Sequence, residues 1–310
     1  MNKNAYTILF LMIITLITSD CKAKLSLHEK IKSFLQSNSA EKIDQKEFDA
    51  ASIQSLSLAN INGSVTIKTG PKKSLFLRAT KRARKESLLD ALEVSTEIHN
   101  NHLAITTKNN NKRKTGSIDY ELIVPASLDI ALNITGYGTV SIKDVHGALD
   151  IVAQDNIEII NTKKLASAQT LKKGSISIIN AHGPIEIYTQ QGSITGENIM
   201  HNCDARSTSG KISLAYKQVP PTSSINLTTA SGNIQLALPA ETNAAICGNT
   251  TYGTFMSEHD ITLKSYTTKL NKTAWTQFTR NVDGMLGTGD ATIQIKSTKG
   301  NVKILENVVT

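Results

Sequence analysis

The chain has 310 residues, a formal net charge of +8 and only three cysteines, one of which, Cys21, lies in the N-terminal segment. The two remaining thiols are too few for a disulfide framework, and no apolar stretch after the N-terminal segment is long enough for a transmembrane helix. Nucleic-acid binding is disfavoured, because the basic segments lack the interleaved aromatic residues that stack on bases.

Residues 1–23 have the pattern of a secretory signal peptide. Lys3 supplies the positive start, Tyr6 to Ile17 is a short apolar stretch, and Cys21-Lys22-Ala23 supplies small residues at the −3 and −1 positions of a cleavage site. Lipidation of Cys21 ranks second, because the residue before it is Asp20 rather than a small residue. The sequence therefore predicts an exported protein of the periplasm, the cell envelope or the extracellular space.

Residues 24–50 are predicted to form an N-terminal helix and a linker, since apolar residues have helical spacing from Leu25 to about Gln36 and a polar stretch follows. Residues 51–305 form the predicted β-strand-repeat domain. Its first alternating segments are Ser55–Ile67, Ser74–Thr80, Leu92–Ile98, Leu103–Thr107 and Ile118–Val124. The basic segment from Lys81 to Leu92 is interpreted as a helix.

A short motif, Gly-x-apolar-x-apolar, recurs about every nine residues from Gly138 to Leu238. Its copies begin at Gly138, Gly147, Gly174, Gly183, Gly210 and Gly232. Alternation places both apolar residues of each copy on one face of a strand, and a fixed period indicates that each unit stacks on its neighbour. The pattern predicts an all-β parallel β-helix (a solenoid) with two short strands per coil of about 18 residues. The general preference for right-handed crossovers predicts a right-handed one.

Stacking at this period places residues of similar type in columns. The two inward columns are Val140, Ile157, Ile176, Ile194 and Ile212 on one sheet, and Leu149, Ala166, Ile185 and Cys203 on the other. The two turn columns are Asp144, Asn161, Asn180 and Asn198, and Ala153, Thr170, Thr189 and Ser207. Amide and hydroxyl side chains stacked in this way can hydrogen-bond along the axis. Cys203 is predicted to be a buried, unpaired thiol.

The nine-residue repeat becomes less regular towards the C-terminus. Ile246–Phe255 and Ile261–Leu263 are predicted to continue the sheets less regularly, and 291–295 with 300–304 are predicted to form the last coil. Four large apolar residues are predicted to cover an open solenoid end, since exposed final strands invite aggregation. They are Trp275, Phe278, Met285 and Leu286.

Four stretches together resemble an adhesin-like family of bacterial envelope proteins, a β-strand-repeat domain of unknown function. They are Leu58–Ile67, Tyr120–Pro125, the Gly-led strands between 138 and 238, and Gly287–Ile304. The similarity covers roughly residues 50–305. It implies a β-repeat fold and surface adhesion, and it implies no catalytic or ligand-binding residues.

One outward column carries carboxylates at Asp150, Glu186 and Asp204, with Ser167 between the first two. The bland interpretation is a solvated face; the alternatives are a weak cation site or the acid pair of a polysaccharide-cleaving enzyme. Turn histidines His146, His182 and His201 are one or two coils apart, too far to converge on one metal ion. We therefore predict no enzyme, no cofactor and no metal site.

Clustered positive charge is the remaining candidate site. Its residues are Lys72, Lys73, Arg78, Lys81, Arg82, Arg84, Lys85, Lys112, Arg113 and Lys114. Such clusters attract an anionic polymer, lipopolysaccharide, a membrane surface or a host surface; the alternative is that lysines protect a sheet edge. The predicted function is a non-enzymatic, adhesin-like envelope protein. The alternatives are a polysaccharide-active β-helix enzyme and a purely structural envelope scaffold.

Overall fold

The computed structural model describes residues 40–71, 73–110, 116–264 and 280–307. Their regular structure is almost entirely β-strand, with two 3-10 helices at Ala50–Ser52 and Glu86–Leu88. The strands are β1 (Ala40–Asp49), β2 (Ser55–Asn60), β3 (Val65–Thr69), β4 (Ser74–Ala83), β5 (Leu92–His99), β6 (His102–Asn109), β7 (Ser117–Val124), β8 (Asp129–Ile134), β9 (Val140–Lys143), β10 (Leu149–Ala153), β11 (Ile157–Thr162), β12 (Ala166–Thr170), β13 (Ile176–Ala181), β14 (Ile185–Thr189), β15 (Ile194–Ile199), β16 (Cys203–Ser209), β17 (Ile212–Tyr216), β18 (Ser224–Ser231), β19 (Ile234–Pro239), β20 (Ala244–Thr250), β21 (Phe255–Ser257), β22 (Thr262–Leu263), β23 (Asn281–Leu286), β24 (Ala291–Lys299) and β25 (Val302–Asn307).

Two long sheets face each other across one apolar core. Sheet 1 has the order β1-β4-β7-β3-β9-β11-β13-β15-β17-β19-β25-β21, and sheet 2 has the order β22-β23-β20-β24-β18-β16-β14-β12-β10-β8-β2-β6-β5. From β8 to β19 the chain alternates between the sheets, so each coil contributes one strand to each. The predicted all-β solenoid with two strands per coil is confirmed.

The strand registers confirm the predicted columns. In sheet 1 Ile157 pairs with both Val140 and Ile176, and in sheet 2 Ile185 pairs with both Ala166 and Cys203. These residues are almost completely buried. Each isoleucine buried in this way contributes roughly 1.5–3 kcal/mol to folding, so the repeated apolar pair is the main stabilising feature of every coil.

The polar turn columns form the predicted ladders. Asn180 donates from Nδ2 to Oδ1 of Asn161 over 2.7 Å, and Asn198 donates to Asn180 over 2.9 Å. Asn161 in turn donates to Asp144. The other column is buried and joins Thr170 Oγ1 to Thr189 Oγ1 over 2.8 Å. Because the linked residues of the first ladder lie 17, 19 and 18 positions apart, the ladder also confirms the predicted coil length.

Close backbone packing requires the glycine at the first position of the repeated motif. A Cβ on Gly192 would lie 1.9 Å from the carbonyl oxygen of Gly174, and one on Gly210 would lie 1.9 Å from that of Gly192. Side chains are therefore excluded where successive turns touch. In the coil between those that begin at Gly138 and Gly174, Asp155 stands at the position of the glycine. Its Oδ2 accepts a hydrogen bond from the Gly138 amide over 2.8 Å.

The coils do not stack in chain order at either end. The coil of β24 and β25 lies between β18/β19 and β20/β21, so the predicted last coil is not terminal in space. Likewise the coil of β2 and β3 lies between β6/β7 and β8/β9. Each of these two coils is thus covered on both faces, so neither of them provides an exposed edge of a sheet.

Two sequence predictions in the N-terminal third were wrong. Residues 40–49 are not a linker: they form β1, which pairs antiparallel with β4 over its whole length. Lys81–Leu92 is not helical, because β4 continues through Ala83 and only one turn of 3-10 helix follows. Pairing with β1 and β7 on both sides overrides the local helical propensity. The predicted signal peptide, the helix of 25–36, Trp275 and Phe278 lie outside the described residues.

The two cysteines of the described residues are both free. Cys203 is fully buried, as predicted, and burial raises the pKa of its thiol to about 12. The Tyr216 hydroxyl lies beside this thiol, and burial raises the pKa of Tyr216 well above its usual value. Cys247 is exposed on sheet 2. Met285 and Leu286, predicted to cover an end, lie in β23, which pairs antiparallel with β20.

Candidate ligand-binding trough on sheet 2

The outer face of sheet 2 carries small side chains at one end and polar side chains in the middle. In register, Ser57 and Ala131 continue into Asp150, Ser167, Glu186 and Asp204, so the predicted outward acidic column is a real line of neighbours. Small residues at one end of this line lower the surface there. The result is a depression that runs across the strands, along the solenoid axis.

Two adjoining depressions share Ser167 and together cross seven strands, from β6 to β16. We call them the trough. The part over β6, β2, β8, β10 and β12 has a volume of about 420 Å³, and the part over β12, β14 and β16 about 340 Å³. Six strand spacings of about 4.8 Å give the trough a length of roughly 29 Å. A third depression of about 770 Å³ adjoins it at Asp129 and lies over the turns that lead into sheet 2.

The trough has a rigid polar end at His102. The Nδ1 atom of His102 is 2.8 Å from Ser55 Oγ and its Nε2 atom is 2.8 Å from Ser57 Oγ, so both ring nitrogens are held by neighbouring strand residues. The Asp129 carboxylate lies on the other side of Ser55, across the strand pair. Among the described residues both ring nitrogens contact serine hydroxyls and not a carboxylate, so this arrangement differs from a hydrolytic triad, in which an acid orients the histidine.

Two of the four trough carboxylates are neutralised by basic side chains. Asp129 accepts from Lys164 Nζ over 3.2 Å and from the Ala148 amide over 2.7 Å. Asp204 binds Arg206 through two hydrogen bonds of 2.8 and 2.6 Å, which raises the pKa of the arginine. Both guanidinium and ammonium groups remain largely exposed.

Asp150 and Glu186 are the other two carboxylates, and both are exposed. Neither forms an ion pair or a side-chain hydrogen bond with a described residue, although Arg206 lies within electrostatic range of Glu186. They lie on either side of Ser167, two strands apart. Tyr188, two residues beyond Glu186, exposes 36% of its surface beside them.

The predicted acid pair Glu186 and Asp204 does lie on neighbouring strands in register, but Arg206 occupies the Asp204 carboxylate. Of the turn histidines, His146 lines the 770 Å³ depression, His182 is exposed, and His201 accepts a hydrogen bond from the Asn202 amide over 2.9 Å. Among the described residues no group of three or more His, Cys, Asp or Glu side chains is arranged to hold a metal ion.

The predicted basic cluster is divided by the fold. Three of its members lie on β4, where acidic residues of β1 and β7 pair with them. Lys81 Nζ is 2.6 Å from Asp44 and is largely buried, and Arg78 is 3.5 Å from Glu121. Arg82 binds Glu41 over 3.2 Å and also Asp119.

The other members of the cluster either form no ion pair with a described residue or lie outside the described residues. Lys73, Arg84 and Lys85 are exposed, and no ion pair forms between them and any described residue. Lys72, Lys112, Arg113 and Lys114 lie outside the described residues. Within the described part, the available charge of this cluster thus lies just beyond the two ends of β4.

Sequence reasoning missed most of the trough. It did not select Tyr188, His102, Asp129, Lys164 or Arg206. Tyr188 and Arg206 are two residues beyond Glu186 and Asp204, so the predicted register already placed them together on the outer face. His102 had no such signal, because its strand joins the trough only through the out-of-order stacking of β6 on β2.

A family model, Toastrack DUF4097, matches residues 53–305. The chain belongs to the Toastrack DUF4097 family. The resemblance inferred from the strand motifs is therefore confirmed, and the match spans the whole solenoid from just before β2 to within β25. No curated protein matches the chain.

Two solved structures are similar to this Toastrack chain over most of its length. A candidate cell adhesion protein from Clostridium sporogenes is 8% identical, with a TM-score of 0.30, over 86% of this chain and 100% of its own. A candidate adhesin from Bacteroides fragilis is 12% identical, with a TM-score of 0.45, over 85% of this chain and 97% of its own. Among the described residues no helix is long and apolar enough to cross a membrane.

Proposed function

We propose that the protein is a non-enzymatic, exported envelope or surface protein that binds a polymeric ligand along the trough, in the manner of an adhesin. The observation that carries this proposal is the length of the trough, which crosses seven strands and runs along the repeat axis. A small molecule needs one enclosed pocket. A shallow, open and elongated depression fits a chain, which gains affinity by adding weak contacts at successive strands.

Binding is supported by an exposed polar surface whose side chains are partly held in place by their neighbours. The His102 ring is fixed by Ser55 and Ser57, so little side-chain entropy is lost when a ligand contacts it. The exposed ring of Tyr188 offers an apolar platform of the kind that aromatic side chains supply at binding surfaces. Export rests on the signal-peptide pattern of residues 1–23.

The test is a sedimentation assay with a panel of neutral, cationic and anionic polysaccharides and with bacterial envelope fractions. We expect at least one polymer to bind, and Tyr188→Ala to weaken that binding. Tyr252→Ala is the matched control, because Tyr252 is 70% exposed and lies at the far end of the solenoid. Binding to no polymer or fraction would contradict the proposal and favour the structural scaffold.

An enzyme acting on polysaccharide is the second candidate, because Glu186 and Asp204 lie on neighbouring strands. The same panel separates it from a binding protein when new reducing ends are measured. Product release that is lost in Glu186→Gln would favour the enzyme. Binding without product release would favour the adhesin-like protein.

An anionic ligand is the third candidate and would use Lys73, Arg84 and Lys85. Loss of binding to anionic polymers in Arg84→Ala with Lys85→Ala, but not in Tyr188→Ala, would place the ligand on this basic surface instead of the trough.

A further inference from the structure

The trough is acidic although the chain as a whole is basic. Four carboxylates line it, and Lys164 and Arg206 neutralise two of them. Asp150 and Glu186, which form no ion pair with a described residue, therefore give the trough a local negative charge on a chain whose formal net charge is +8. A cationic ligand complements this local field, and an anionic one is repelled by it.

The two unpaired carboxylates are spaced for a polymer. One strand, carrying Ser167, separates Asp150 from Glu186. Two strand spacings amount to about 9.6 Å. Ligands of a single metal ion must converge within about 2.6 Å of it, so these carboxylates do not share one ion. Positive groups repeated along one chain can reach both.

The backbone of the trough favours a glycan over a peptide. The strands of its floor, β8, β10, β12, β14 and β16, are paired on both sides, so their amides and carbonyls are used within the sheet. A peptide therefore cannot add as a further strand, which is the usual source of its affinity for a sheet. Side chains alone must hold the ligand. The Tyr188 ring, with Gln169 in register beside it, matches the alternating apolar and hydroxyl-bearing surfaces of a sugar chain.

From this charge pattern and geometry we propose that the trough binds an amine-bearing glycan, a polymer of amino sugars with free, protonated amines. The inference rests on the proposed function, since it specifies the ligand of the same trough. Asp150 and Glu186 contact amines on separate sugar residues, and Tyr188 packs against a ring between or beside them.

The experiment compares chitosan oligomers with fully N-acetylated chitin oligomers of the same length, which differ in amine charge. Binding is measured by isothermal titration at about pH 5.5, where the free amines of chitosan are protonated. We expect chitosan to bind more tightly than chitin and its affinity to fall as salt is raised. Asp150→Asn and Glu186→Gln should each weaken chitosan binding by about two- to five-fold, as loss of an exposed ion pair does.

Glu197→Gln is the matched control, because Glu197 is also exposed but lies on the outer face of sheet 1. It should leave chitosan binding unchanged, and the thermal unfolding of all three variants should match that of the unchanged protein. Equal binding of chitin and chitosan, or no effect of the two trough substitutions, would overturn the amine assignment. Poly-lysine that binds more tightly than chitosan and depends on the same carboxylates would overturn the glycan assignment.

Failure of this inference is distinguishable from failure of the proposed function. If a neutral or anionic polymer binds and Tyr188→Ala weakens it, the trough still binds a polymer and only the amine assignment is wrong. If no polymer binds at all, both proposals fail.

Discussion

Asn161, Asn180 and Asn198 show how one residue type meets two demands at a turn. Their φ angles are 60°, 58° and 54°, in the left-handed region that asparagine tolerates better than other side chains. The amides of Asn161 and Asn180 also bond to the coils on both sides, and that of Asn198 bonds to Asn180. Glycine would meet only the first demand and alanine neither, which explains why asparagine recurs at this position.

Replacing Asn180 with alanine should therefore destabilise the protein by about 2–3 kcal/mol, from two lost hydrogen bonds and a left-handed backbone without relief. Asn180→Gly loses the bonds but keeps the backbone freedom, so it should cost about 1 kcal/mol less. The measurement is urea unfolding followed by circular dichroism. Asn133→Ala, an exposed strand position, is the control and should change stability by no more than about 0.5 kcal/mol. Equal losses for alanine and glycine would contradict the backbone argument.

The buried pair of Cys203 and Tyr216 makes stability depend on alkaline pH. Burial raises the pKa of Cys203 to about 12 in the folded state, whereas an unfolded cysteine ionises near pH 8.5. The unfolded state therefore loses its proton first, and the stability that this group contributes is present below about pH 8.5 and is lost as the pH rises towards 12.

The free energy of unfolding should fall by about 1.4 kcal/mol per pH unit for this thiol between about pH 9 and 12. Cys203→Ala should remove that part of the slope, although the smaller side chain lowers stability at neutral pH. Urea unfolding at pH 7, 9, 10 and 11 measures both effects. A slope above pH 9 that is unchanged in Cys203→Ala would show that the thiol is not the group responsible.

At the level of elements, the insertion of β24 and β25 is the most consequential departure from simple stacking. Gln294 of β24 pairs with Cys247 of β20 on one side and with Asn226 of β18 on the other. If coils stacked in chain order, Cys247 would instead lie opposite Asn226. The exposed native thiol of Cys247 thus reports the order of the strands.

Gln294→Cys should form a disulfide with Cys247 on mild oxidation, because outward residues in register on adjacent strands have Cα atoms about 5 Å apart, within disulfide range. Asn226→Cys should not, because β24 separates it from Cys247. Peptide mapping under non-reducing conditions identifies the bond. A disulfide that joins Cys247 to the thiol introduced by Asn226→Cys would contradict the insertion of the C-terminal coil.

The structure of the middle of the solenoid could be predicted from the sequence, because each coil repeats the contacts of the preceding coil. Once Gly174, Ile176 and Asn180 are placed, the next coil repeats the same contacts about 18 residues later, so the columns could be predicted without coordinates. The coil order at the ends could not be predicted, since the motif beginning at Gly300 has the same pattern as the others. It does not indicate which coil it stacks on. The ion pair of Lys81 with Asp44 was missed because it needs β1, and the polar sequence of residues 40–49 does not indicate a strand.

At the scale of the whole molecule, the solenoid has two sheet faces, and the trough lies on the face of sheet 2. The length of the trough depends on the stacking of β6, β2 and β8, which are distant in the chain, so no single motif predicts it. Its acidic character likewise contrasts with the total charge. The function proposed here therefore depends on the assembled face rather than on a local sequence signature.

Three exposed tyrosines allow the central claim, that a polymer lies in the trough, to be tested directly. Tyr188 lies in the trough, whereas Tyr137 and Tyr252, exposed by 68% and 70%, lie outside it. Hydroxyl-radical footprinting with and without bound chitosan oligomer measures the oxidation of each ring. Selective protection of Tyr188, with Tyr252 unchanged, is the predicted result. Bound chitosan that leaves Tyr188 as reactive as before would contradict the account.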